Sequence, residues 1–168
     1  MALTTLKGRA FKFGDGISTD LIIAGRYAHL RSNLPELAKH AMEDANPEFV
    51  RLVRPGDFIV AGSNFGLGSS REHAPLVIKM AGVSAILARS FARIFFRNAI
   101  NQGVPALICQ TDGIAEGDIL EISLNKGLVR NVTRNESYSF TKIPPTMLKI
   151  LNEGGLIPYI NRHGDLNL

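Results

Sequence analysis

The chain has 168 residues, 45% hydrophobic and 20% charged, a globular balance that excludes disordered and fibrous classes and makes one domain over 1–168 the default. Net charge is +4 with no run of five like charges, so nothing specific supports nucleic-acid binding, and a small acidic ligand suits the charge equally well. Cys109 is the one cysteine and the four histidines are scattered, so this polypeptide alone is expected to form no disulfide, zinc site or iron–sulfur cluster. The opening MALTTLKGRAFKFGDG has no apolar h-region, which with a free thiol points to the cytoplasm. No run approaches ~18 apolar residues, so no membrane span is expected.

In chain order, 5–13 reads as a strand with Leu6, Phe11 and Phe13 as apolar members, and Gly14-Asp15-Gly16 reads as a turn. Residues 14–33 read as irregular, and 35–43 as a helix opened by Pro35, with Leu37, Ala38 and Ala41 on one face. Pro55-Gly56-Asp57 is a turn before 58–61, a wholly apolar strand of the kind buried on both faces. The loop 62–70 leads into a helix over 71–81, where Ala74, Val77, Ile78 and Ala81 form a buried stripe and Gly82 ends it. A strand over 84–88, a helix over 92–102 and a strand over 106–109 follow. That alternation implies parallel pairing with right-handed crossovers. After an irregular 110–117, the segments 118–124, 127–132 and 137–141 read as short antiparallel strands, and 145–153 as a closing helix stopped by Gly154-Gly155. The fold class is α/β, a parallel core with β-rich flanks.

Gly66-Leu67-Gly68-Ser69-Ser70-Arg71-Glu72-His73 sits between a buried strand and a helix start, where α/β sheets bind ligands. The dinucleotide fingerprint fails because Arg71 stands at its third glycine, and no Gly-Lys-Ser/Thr follows to make a phosphate loop. The loop offers two hydroxyls and a guanidinium, and Arg suits bidentate recognition of a carboxylate. Ser69-x-x-Glu72 also has the spacing of a capping box. The two uses compete, because a hydroxyl that caps a helix cannot freely act as a base.

Three ordered segments carry a family resemblance: FGDGISTDLIIAGRY (13–27), GSNFGLGSSREHAPL (62–76) and SFARIFFRNAINQGVP (90–105). Together they make the chain similar to the small subunits of 3-isopropylmalate dehydratase and, more broadly, to the swivelling domain of the aconitase family. The resemblance runs through most of 5–165. It implies a swivelling β/β/α fold and a hydro-lyase reaction that moves a hydroxyl between neighbouring carbons of a diacid. It implies a four-iron–four-sulfur cluster on a separate large subunit, with no cofactor bound by this chain. By position, Ser69 corresponds to the base that takes the proton from carbon, Ser70 and Arg71 to carboxylate-binding residues, and Asp20 to a catalytic aspartate that lies at the active site near a histidine of the cluster-bearing part. The same resemblance places 26–33 on the loop that sorts substrates, with Arg31 reading the variable end.

Leu30-Arg31-Ser32 stands two residues later than the Leu-Arg-Thr of archaeal members, which leaves homoaconitate and 2,3-dimethylmalate open as substrates beside isopropylmalate. A noncatalytic anion-binding module of the same fold is the rival of a different class. Asp20 also suits a turn or a helix cap, and Thr19 reads as structural. Arg93 and Arg97, four apart on a helix, suit a basic face toward the partner or a solvated face, Arg31 also suits a solvated position, and the phenylalanines near 91–96 suit the core. His73 suits packing at the helix start, and Cys109 an inert buried strand end.

Overall fold

A computed structural model describes residues 5–165. Strand β1 (Thr5–Lys12) runs into α1 (Thr19–Ile22), a 3-10 segment (Gly25–Leu30), α2 (Leu34–Ala38) and α3 (Phe49–Leu52). The alternation β2 (Phe58–Ala61), α4 (His73–Ala81), β3 (Ala85–Ala88), α5 (Arg93–Asn101), β4 (Ala106–Ile108) follows as expected. Then come β5 (Ile119–Ser123), β6 (Leu128–Asn131), β7 (Glu136–Ser139), α6 (Pro145–Asn152) and α7 (Leu156–His163).

The seven strands among the described residues form one mixed sheet in the order β4-β3-β2-β1-β5-β6-β7. β1 is the seam. It pairs parallel with β2 (Phe11 opposite Ile59) and antiparallel with β5 (Gly8 opposite Leu120). The apolar tetrapeptides of β2 and β3 are buried at every residue. Their side chains alternate between two cores, as a strand's period of two requires. Ile59, Ala61, Ile86 and Ala88 join Phe11, Phe13, Phe49 and the apolar stripe of α4 on one face. Phe58, Val60, Ala85 and Leu87 join β5, β6 and helices α6 and α7 on the other.

Three local expectations change. The helix expected over 35–43 stops at Ala38, because Met42 turns left-handed (φ 59°) and sends its N–H to the Ile22 carbonyl at 2.8 Å. The supposedly irregular 14–33 holds α1, capped by the Ser18 side chain accepting from Leu21 N–H at 3.2 Å, and the 3-10 segment. Gly154-Gly155 does stop α6, but a further helix, α7, starts directly afterwards.

The antiparallel half is tied by a buried carboxylate. Asp118 accepts from Ala115 N–H (2.8 Å), Asn131 Nδ2 (2.8 Å) and Arg134 Nε (2.7 Å). Burial by itself raises the Asp118 pKa, but these donors win and hold it below the ordinary value. The stabilisation is therefore complete above the unfolded-state pKa near ~4 and is lost as pH falls through the lowered folded-state value. Asp118→Ala should cost about 2 kcal/mol, mainly by stranding the buried Asn131 amide, since the half-exposed Arg134 is screened by water. Urea midpoints measured against pH check this: the variant should show a flatter acid limb, and an unchanged limb would exclude Asp118 as its source.

Candidate active site

The loop after β2 lies at the carboxyl edge of the parallel strands and is stitched on both sides. On one side Gly66 N–H donates to the Ile17 carbonyl (2.7 Å) and Thr19 N–H to the Leu67 carbonyl (2.8 Å). On the other, Phe65 N–H donates to the Ser90 carbonyl (3.1 Å) and Ala92 N–H to that of Phe65 (2.9 Å). The segments following β1, β2 and β3 thus continue side by side beyond the sheet. Asp15 adds a side-chain anchor, its Oδ1 accepting from Ser63 N–H and from Arg89 Nη2, both at 2.7 Å. The Ser63 amide first, and the Arg89 guanidinium next, hold the Asp15 carboxyl below its usual range. Gly66 is required here: it is left-handed (φ 84°), and a Cβ on it would stand 2.2 Å from the Phe95 ring.

Ser69 and Ser70 emerge exposed at the end of this loop. Ser69 does not cap the helix. α4 begins at His73 with Glu72 at the cap position, and no side chain caps it. The capping-box expectation and the helix start at 71 are therefore both corrected. The Ser69 backbone carbonyl accepts from Thr19 Oγ1 at 3.0 Å, and its own hydroxyl lies 3.5 Å from that oxygen.

Arg71 is half-buried and braced. Its Nη1 donates to the Ile23 carbonyl at 2.7 Å, and its Nη2 pairs with Asp20 Oδ1 at 2.7 Å. Two of the five guanidinium N–H donors are so used, which leaves capacity for an incoming carboxylate. Asp20 is the second residue of α1, not its cap, and its side chain is 69% exposed.

Two cavities flank Ser70 and Arg71. One, of about 340 Å³, is walled by Ile23, Ala28 and Leu37, with Arg31, Glu72 and His73 adding polar groups. The other, of about 310 Å³, is lined by Thr19, Ser69, Arg93, Ile94, Phe95 and Asn98. Ser69, Ser70, Arg71 and Asp20 thus come together. Arg31 shares the first cavity with Ser70 and Arg71 but is exposed, with Nε donating to the Ala28 carbonyl at 3.1 Å. Sequence reading did not assign Thr19, Asn98 or Tyr27 to the site. Tyr27, on the first cavity, stacks on His40 (centroids 3.8 Å apart) and donates to Glu43 at 2.6 Å, tying the 3-10 segment to the chain beyond α2. The Tyr27 hydroxyl, with His40, keeps the Glu43 carboxyl below its ordinary pKa.

The residues present do not fit a metal cluster. Among the described residues no three His, Cys, Asp or Glu are arranged to hold a metal ion. Cys109 lies elsewhere, buried beyond β4, with its thiol pushed up to about 11 by burial. No helix among the described residues is long and apolar enough to cross a membrane.

A mixed sheet with a Gly-rich Ser-Ser-Arg loop at its carboxyl edge defines the aconitase type of swivelling domain, and the comparisons agree. The aconitase C-terminal domain model matches residues 27–112. The chain is 65% identical to 3-isopropylmalate dehydratase small subunit 2 of Archaeoglobus fulgidus, covering 96% of this chain and 98% of that one. It is 57% identical to small subunit 1 of the same enzyme in Thermotoga maritima, covering 95% and 96%. The crystal structure of 3-isopropylmalate dehydratase from Methanocaldococcus jannaschii superposes with a TM-score of 0.91 at 44% identity, covering 95% of each chain. The chain belongs to the aconitase family, in its branch of 3-isopropylmalate dehydratase small subunits, which are hydro-lyase components.

Because Ser69 caps nothing, Ser69→Ala should change folding stability by less than about 0.5 kcal/mol, as at an ordinary surface position. Thermal or urea unfolding checks this, and a loss in the range of about 0.5–2 kcal/mol would restore the capping role.

Proposed function

We propose that the chain is the small subunit of a two-subunit hydro-lyase that interconverts 2-isopropylmalate and 3-isopropylmalate by dehydration and rehydration, a step of leucine biosynthesis. The observation that carries this reading is the strip Ser69-Ser70-Arg71 exposed between two cavities, in a chain whose close relatives bear that enzyme's name. In this reading Ser69 takes the proton from the substrate carbon, and Ser70 and Arg71 hold a carboxylate. Asp20 braces Arg71 and faces the partner. A four-iron–four-sulfur cluster belongs to the large subunit, where it supplies the Lewis acid for the hydroxyl. This chain acts as one swivelling unit, in a reducing compartment such as the cytoplasm that suits a free thiol.

A serine is a poor base, so its anion needs stabilising charge or donors. Arg71 in the free chain is already paired with Asp20, and α4 starts four residues after Ser69. The site is thus incomplete alone, which supports dependence on a docked partner. Arg93, Ile94 and Arg97 are exposed on α5, and the first two also line the Ser69 cavity, so this is the face assigned to the large subunit.

The apolar wall of Ile23, Ala28 and Leu37 favours a branched alkyl group. Arg31 at the same cavity is the one feature that favours homoaconitate, whose third carboxylate it would meet.

The chain alone should be inactive and should gain isopropylmalate isomerisation when assembled with a cluster-bearing large subunit. In that pair Ser69→Ala should lower kcat by about 10²–10⁴-fold. Arg71→Lys should lower kcat/KM through loss of bidentate binding. Steady-state assays with isopropylmalate, dimethylmalate and homoaconitate decide the substrate. Unchanged turnover in Ser69→Ala would remove the base assignment, and no gain of activity on assembly with a large subunit would favour a noncatalytic anion-binding role.

A further inference from the structure

We propose that Thr19 is a positioning residue for catalysis, acting through Ser69. This rests on the reading of Ser69 as the base. Thr19 is 3% exposed, so its hydroxyl needs a partner inside the protein. That partner is the Ser69 carbonyl, to which Thr19 Oγ1 donates at 3.0 Å. Thr19 Oγ1 also lies 3.5 Å from the Ser69 hydroxyl oxygen, and either oxygen can donate across that gap. That distance is at the outer limit of a hydrogen bond, and catalytic contacts often shorten when the complex closes. As acceptor Thr19 orients the neutral Ser69 hydroxyl, and by turning its proton from the Ser69 carbonyl to the Ser69 oxygen it supplies a donor when Ser69 is an anion.

Two further features suit Thr19 to this task. Its β-branched side chain is stiff about χ1, so burial of the methyl group orients the hydroxyl. Its own N–H holds the Leu67 carbonyl at 2.8 Å, so one residue grips the loop on both sides of Gly68. The next residue, Asp20, grips Arg71. The four-residue α1 therefore holds loop positions 67, 69 and 71 at once.

Thr19→Val keeps the shape and burial and removes the hydroxyl. In the enzyme assembled with its large subunit, kcat per assembled complex should fall about 10- to 100-fold with KM within about 3-fold. Thr19→Ser should restore most of kcat. In a Ser69→Ala background, Thr19→Val should cost nothing further, because residues that act as a unit are not additive. Thr19→Ala serves in the same cycle if Thr19→Val does not assemble. Wild-type kcat in Thr19→Val, or full additivity with Ser69→Ala, would overturn the proposal while leaving the base assignment standing. Full turnover in Ser69→Ala alone would instead remove the base assignment and this proposal with it.

Discussion

The loop that bears Ser69 is held by its neighbours across the sheet edge, and the rest of the site follows from that constraint. Its backbone pairs through isolated bridges with the segments after β1 and β3, so its residues cannot reorganise without breaking them. At Gly66 the backbone passes so close to Phe95 that only glycine fits. The cost of a left-handed turn is thus tied to close packing of α5 under the loop. Such a loop exposes two hydroxyls while remaining fixed at its base, as a site built on rigid elements must be.

Charge at the site is arranged for exchange. The Arg71–Asp20 pair is short at 2.7 Å, yet Asp20 is mostly in water, where such pairs contribute little. In the proposed function, a substrate carboxylate would displace Asp20, the weakly held partner, from the guanidinium. The second Arg71 anchor, the Ile23 carbonyl, is neutral and keeps the side chain in place whichever carboxylate is present. Orientation and charge compensation are divided between two partners, the neutral Ile23 carbonyl and the exposed Asp20 carboxylate.

Much of this was legible in the sequence. The alternation from Phe58 to Ile108 could be read because two apolar tetrapeptides and the stripe of α4 obey clear periods. The Ser-Ser-Arg loop could be placed because it joins a buried strand to a helix. The short elements could not be read. A helix of four residues such as α1 is too short to stand on propensity. It exists because Ser18 caps it and the chain beyond α2 returns to bond Ile22. The Tyr27–His40 stack and the reach of Thr19 to Ser69 join residues whose proximity only the folded chain creates. The helix after Gly154-Gly155 is illegible because glycine stands at its cap position and no side chain caps its start.

The failed capping box shows how the chain frees the serine. A helix start leaves several N–H groups without intrahelical partners, and a side-chain cap is one remedy among several. In α4, Ala74 N–H donates to the Arg71 carbonyl at 3.2 Å. Pro75, in the first turn, has no N–H to satisfy. The demand for a cap is reduced by sequence features placed after the motif, and Ser69 is left with Thr19 as its neighbour instead of a helix amide. The spacing Ser-x-x-Glu thus carries no capping information once the third helical residue is proline and the carbonyl of Arg71 turns back into the helix.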